Sequence, residues 1–158
     1  MISTKGRYAL RVMIDLAEQD SEKFIPLDEI ATRQGISKKY LEIVLKSLVQ
    51  QNFLKGSRGK GGGYKLTRKP EDYTVGEILE VTEGTLAIVS CLQADSAPCE
   101  RKNFCKTLPM WEKFNQLTRD FFFRNHVERF DKPVVNFGRE KRRLIEKTFR
   151  GVEHGTGN

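Results

Sequence analysis

Ala9, Val12, Met13, Leu16 and Ala17 fall at i, i+3, i+4, i+7 and i+8, one face of an amphipathic helix. The polar run from Asp20 to Lys23 ends it. After Pro26 the spacing predicts a short helix over 27–34 with Leu27, Ile30 and Ala31 inward, and Gly35 can take the left-handed conformation that stops it. Ser37 then offers an N-cap to a third helix, whose buried stripe is Leu41, Val44, Leu45 and Leu48. A short helix, a glycine-containing turn and a capped second helix make a helix-turn-helix pattern.

Two short strand-like pieces follow, Phe53-Leu54-Lys55 and Tyr64-Lys65-Leu66. They flank Gly56-Ser57-Arg58-Gly59-Lys60-Gly61-Gly62-Gly63, whose glycines permit a tight reversal, so the segment reads as a β-hairpin with a basic tip. The fold expected is therefore mainly α with a small β-hairpin wing, a winged helix-turn-helix. Past Pro70, Thr74-Val75-Gly76-Glu77 is a capping box that opens a fourth helix through about Val81, with Ile78, Leu79 and Val81 apolar. From about Leu108 to about Asn125 a longer helical pattern recurs, carrying Met110, Trp111, Phe114, Leu117 and Phe121 at three- and four-residue steps. With Phe122 and Phe123 it holds more aromatic surface than one thin domain can bury, so Trp111, Phe114, Leu117 and Phe121 are expected to pair with the same helix of a second chain. The organisation that results is a DNA-binding domain over 1–83, a cysteine-containing loop over 84–106, a dimerisation helix over 107–126 and a charged tail over 127–158. In that tail Arg139 to Lys147 reads as a charged helix, and the end from His154 as frayed.

Charge sharpens this division. The 158 residues carry 28 Lys and Arg against 21 Asp and Glu. Residues 1–70 hold 14 of the basic and 7 of the acidic residues, so the whole excess of +7 sits there. A basic module beside a neutral one suits a polyanion partner. On the third helix Ser37, Lys38, Lys39, Glu42 and Lys46 lie off the buried stripe, where a DNA-reading helix needs its polar side chains. The lysines suit phosphates, Ser37 and Tyr40 can hydrogen-bond to backbone or bases, and Glu42 can accept from cytosine N4. At the hairpin, Arg58 and Lys60 suit the adjacent minor groove, with Gly61 allowing close approach and Tyr64 flanking it.

Enzyme readings fail on the residues. Gly56 and Gly61 have P-loop spacing, but Gly62-Gly63 follow where Lys and Ser or Thr are required. Tyr64 stands where a dinucleotide fingerprint needs glycine, and no Ser-His-Asp or Cys-His constellation is present. No run approaches the roughly 18 apolar residues of a membrane span, which with the polar start points to a soluble, cytoplasmic protein and no membrane partner. The three cysteines, Cys91, Cys99 and Cys105, are odd in number and confined to one segment, a poor disulfide framework. Three soft thiolates favour zinc or an iron–sulfur cluster, and the absence of a Cys-x2-4-Cys pair argues against a closed structural zinc. Unlinked thiols or a redox couple are the other reading of the same residues.

The run Met1 to Ala9, the helix around Tyr40-Leu41-Glu42, the wing Arg58 to Tyr64, Thr74 to Ile78, and three cysteines ahead of Trp111 together resemble the IscR/NsrR/CymR family of bacterial winged-helix, Rrf-type transcriptional regulators. The resemblance covers about residues 1–125 and is closest to the cysteine-containing iron–sulfur members. It implies a homodimer on a palindromic double-stranded DNA operator, with Cys91, Cys99 and Cys105 holding a [2Fe–2S] or [4Fe–4S] cluster that senses iron, redox state or nitric oxide. It also departs from the pattern: Leu108 stands where IscR-like members have a histidine ligand, and Tyr8 lies in the region of the NsrR-like aspartate. Cys91 and Cys99 are two residues farther apart than the usual IscR spacing. Cluster type and fourth ligand are left open on this basis. The alternative is a cluster-free regulator of cysteine or sulfur metabolism, controlled by a partner protein or by thiol oxidation, as CymR-like members without the cysteine trio imply.

Overall fold

The computed structural model describes residues 2–19 and 22–130. The charged stretch 139–147 and His154 lie outside them. Helix α1 spans Thr4–Ala17, with the Ser3 hydroxyl accepting from the Gly6 N–H at 3.2 Å. It buries Ala9, Val12, Met13 and Leu16, while Ala17 is half-buried. Helix α2, Leu27–Gln34, starts behind Pro26 and stops at Gly35, whose φ of 61° is the left-handed conformation expected there. Of its inward residues Ile30 is fully buried and Leu27 and Ala31 are half-buried. Helix α3, Lys38–Gln50, is capped by Ser37, and its stripe of Leu41, Val44, Leu45 and Leu48 is fully buried.

Strands β1, Leu54–Ser57, and β2, Gly63–Leu66, pair antiparallel in the register Leu54 to Leu66 and Ser57 to Gly63. Ile25 adds a third short rung, exchanging both backbone hydrogen bonds with Tyr64 at 2.9 Å. That close pairing needs Gly63: its φ is 150°, and a Cβ there would lie 2.1 Å from the Ile25 carbonyl oxygen. Helix α4, Val75–Glu83, opens on the Thr74/Glu77 capping box and runs two residues past Val81 before Gly84 ends it. Helix α5 spans Leu108–Arg124. Helices α1 to α4 and the wing enclose one core, which Phe53, Leu54, Tyr73 and Ile78 complete. The architecture is the winged helix-turn-helix with an appended long helix that the periodicity predicts.

Tyr73 ties the wing to this core. Fully buried, its hydroxyl accepts from the N–H groups of Thr67 (2.9 Å) and Arg68 (2.7 Å) and donates to the Phe53 carbonyl at 2.9 Å. Both ends of the hairpin are therefore held by one oxygen. Tyr73→Phe should cost about 2 kcal/mol, because a buried acceptor and donor vanish while their partners stay. Urea unfolding checks this, and a change below about 0.5 kcal/mol would show the hydroxyl to be dispensable.

The chain after α5 folds back onto the body. Val127 is 1% exposed within the main core, its N–H donates to the Tyr73 carbonyl at 3.0 Å, and the Val75 N–H donates to Asn125 at 2.8 Å. Val127–Phe130 form a 3-10 turn, so this stretch belongs to the packed structure and is not tail. His126 is half-buried, with Nδ1 2.6 Å from the Glu71 carbonyl oxygen. The hydrophobic pattern ends at α5, and a single buried valine beyond it leaves no period to read.

Candidate nucleic-acid interface and its coupled helix

Helix α3 presents Ser37, Lys38, Lys39, Glu42 and Lys46 to solvent, all exposed, opposite the four buried leucine and valine positions. Ser37 serves as the cap, its hydroxyl accepting from the Tyr40 N–H at 3.4 Å, which leaves its proton free to donate outward. Lys38 has its ammonium 2.7 Å from the Asp28 carboxylate, an exposed pair that a phosphate can displace cheaply. Tyr40 is half-buried, its ring edge-on to Tyr8 at 5.4 Å, so that it braces α3 on α1 and offers only its rim. At the wing tip Arg58, Lys60 and Gly61 are exposed. Gly59 and Gly61 take φ of 89° and 76°, and the Gly62 N–H closes the turn on the Gly59 carbonyl at 2.9 Å. Tyr64 is half-buried at the base of the wing, held by its backbone bonds to Ile25. The structure thus brings the helix residues, Arg58 and Lys60 to the surface, and gives Tyr40 and Tyr64 packing work.

Two further residues share the exposed face of α3, Ile43 and Gln50. A search for polar side chains passes over an isoleucine. The signal that finds it is angular position, at about 100° per residue, rather than residue type.

Helix α5 has two faces. Trp111, Asn115, Thr118, Phe122 and Phe123 are half-buried toward the body. Phe122 and Phe123 pack on the small cluster Val75, Leu79 and Leu86. Phe123 lies so close to Gly76 that an added Cβ would meet its ring at 2.6 Å, and Arg119 pairs with Glu80 at 2.7 Å. The opposite face carries Met110 (54% exposed), Phe114 (49%), Leu117 (43%) and Phe121 (49%) in steps of four, three and four. Trp111 sits at the edge between the two faces. The triple phenylalanine is split: two rings pack on the body, while Phe121, edge-on to Phe122 at 5.6 Å, stays on the exposed face.

Between α4 and α5 lie the cysteines. Cys91, in the turn Ser90–Leu92, and Cys99 are exposed, and Cys105 is half-buried just ahead of α5. The Thr107 hydroxyl, 3.4 Å from the Cys105 sulfur, and the Thr107 and Leu108 N–H groups hold that thiol below its ordinary value. Among the described residues no three of His, Cys, Asp and Glu converge on a point where a metal could sit. The donors are chemically those of an iron–sulfur cluster, carried on one irregular segment with Cys91 and Cys99 exposed. No helix among the described residues is long and apolar enough to cross a membrane.

Comparison with known proteins adds five findings. The family model described as "Rrf2: Iron-dependent Transcriptional regulator" matches residues 2–130. The HTH-type transcriptional regulator IscR of Aliivibrio salmonicida is 32% identical over 120 residues, covering 76% of this chain and 70% of that one. The regulator CymR of Bacillus subtilis is 40% identical over 101 residues, 64% of this chain and 72% of its own. Its solved structure, described as that of the global cysteine regulator, aligns at a TM-score of 0.65 with 32% identity over 81% of this chain and 93% of that one. The structure of T. potens IscR aligns at 0.62 with 28% identity, over 99% of this chain and 93% of that one.

Proposed function

Since the chain belongs to the Rrf2 family of DNA-binding transcriptional regulators, we propose that it acts as a homodimer on a palindromic operator, with occupancy set by the segment carrying Cys91, Cys99 and Cys105. The observation that carries the reading is the two-faced helix α5. One face is locked to the winged-helix body through Phe123 and Arg119, with Val127 buried just beyond the helix, and the other leaves four large apolar side chains in water. Pairing of that stripe with its copy fixes the distance between two α3 helices, and a two-fold axis then asks for two half-sites about one helical turn apart. Ser37, Lys38, Lys39, Glu42, Lys46, Arg58 and Lys60 contact DNA in this reading, the cations by phosphate and minor-groove attraction and Glu42 by accepting from cytosine. Tyr40, Gly61 and Tyr64 shape the surface that holds them.

For the signal, the reading assigns an iron–sulfur cluster to the three thiolates. Such a cluster would supply a redox- and iron-sensitive cross-link within the segment. The family description as iron-dependent and the likeness to IscR support it. What the chain itself contributes is the transmission: Cys105 lies three residues before α5 begins, so any reordering of the segment acts on the start of the helix that sets dimer geometry. A second reading is favoured by the unassembled thiols and the activated Cys105, together with the likeness to CymR: control by thiol oxidation or by a partner protein, without a cluster.

One experiment separates them. The protein is purified without oxygen, its absorbance is recorded between about 320 and 460 nm, and iron and acid-labile sulfide are assayed per chain. The expected result is a coloured protein with matching iron and sulfide, and a Cys99→Ala variant that loses both along with the response of DNA binding to iron. A colourless protein, still so after reconstitution, transfers the signal to the second reading.

A further inference from the structure

The sides of α3 can be ranked by angle. At about 100° per residue, the pole opposite the buried stripe falls among Lys39, Ile43, Lys46 and Gln50, each within roughly 30° of it. This is the column of side chains pushed deepest when a helix enters the major groove. Its second member, Ile43, is the apolar one. Ile43 is 52% exposed, and of the large apolar side chains exposed among the described residues only it and Val49 (36%) lie on the helix-turn-helix and wing. Val49 sits about 120° around the helix from Ile43, toward the flank. The others belong to the cysteine segment, α5 and the turn after it.

A singly exposed isoleucine needs no explanation by itself. This one is straddled by Lys39 four residues before and Lys46 three residues after, both exposed. An apolar partner protein covering Ile43 would have to desolvate both ammonium groups, whereas a DNA groove offers phosphates to each. The groove offers one apolar group to meet the isoleucine, the C5-methyl of thymine. The β-branch leaves Ile43 a single strongly preferred χ1 rotamer in a helix, so little side-chain freedom is lost on contact.

We propose that Ile43 reads sequence by packing against the 5-methyl group of a thymine in each half-site. The proposal rests on the DNA-binding reading above and extends it from phosphate attraction to base choice. Glu42, its neighbour, selects by hydrogen bonding and Ile43 by a methyl contact, so the two positions discriminate different bases.

The test begins with duplexes recovered by the protein from a random-sequence pool. In a recovered duplex each thymine is replaced in turn by deoxyuridine, which removes only the methyl group. One thymine per half-site should be sensitive, at about four-fold in affinity for one replacement and about sixteen-fold for both, the value of one buried methyl group each. The Ile43→Ala variant, which removes an exposed side chain and leaves the core intact, should bind thymine and deoxyuridine duplexes alike within two-fold. A scan with no sensitive thymine, or an Ile43→Ala protein that keeps the sensitivity, overturns the role of Ile43 while leaving DNA binding in place. Recovery of no duplex at low salt overturns the DNA-binding reading itself and the proposal with it.

Discussion

Leu117→Asp should yield a monomer whose operator affinity has fallen by about a thousand-fold. Leu117 is third in the stripe Met110, Phe114, Leu117 and Phe121, and these four span about 16 Å of helix surface at 1.5 Å per residue. In a two-fold interface each substitution occurs twice, so two carboxylates would be brought into one apolar seam. An unpaired buried charge costs several kcal/mol, enough to separate a dimer held by one apolar seam. DNA affinity falls with it, because the second half-site is then bound from bulk solution instead of at the effective concentration a fixed dimer provides, a loss of about 10² to 10⁴. Leu117 is already 43% exposed within one chain, so the monomer should keep its fold and its melting profile. Light scattering reads the mass and fluorescence anisotropy the affinity. A variant that stays dimeric, or binds the operator as well as the parent, removes α5 from the dimer seam.

The helix-turn-helix was legible in advance because its signals are local. Gly35 and Ser37 sit at the two ends of a turn that only such residues build, and the four-residue stripe of α3 repeats at the helical period. The wing was legible because Gly59, Gly61 and Gly63 take φ values a side chain would resist. What stayed hidden depends on contacts between distant residues. That Phe122 and Phe123 turn inward while Phe121 does not follows from Gly76 on α4, which makes room for a ring. That Tyr64 anchors the wing follows from a strand pairing with Ile25, across 39 positions of sequence. The cysteine segment is the least periodic part of the chain. Its residue types announce a chemistry, and its spacing states nothing about which atoms meet.

These distant contacts also give the molecule its mechanical continuity. The segment after α4 leads straight into α5, and α5 returns through Asn125 and Val127 to Tyr73 and Val75. Tyr73 in turn holds both ends of the wing. A shift of α5 therefore has a packed route through Asn125, Val127 and Tyr73 to the base of the wing. In the proposed mechanism, control of DNA binding from the cysteine segment would need no large rearrangement, only a bias between two settings of this helix.

Asp15→Ala should destabilise the protein by about 3 kcal/mol and lower its melting temperature by about 10 °C. Asp15 is the one charged side chain buried among the described residues, at 3% exposure. Its carboxylate accepts two hydrogen bonds from Arg33, at 2.9 and 2.7 Å, and one from Gln34 at 2.8 Å, while Gln34 accepts from Arg11 at 3.0 Å. The bond to Asp15 is the main reason the Arg33 guanidinium is held above its ordinary value. Removing the carboxylate leaves part of this donor set facing a dry gap. Because Arg33 is one-third exposed and can turn to water, the cost falls at the lower end of the range for broken buried pairs. The network clamps α1 to the last turn of α2, immediately before Gly35 launches α3, so DNA affinity should drop with stability. Arg33→Gln tests the assignment: if the pair acts as a unit, the double variant loses no more than Asp15→Ala alone, whereas additive losses would place the stabilisation elsewhere.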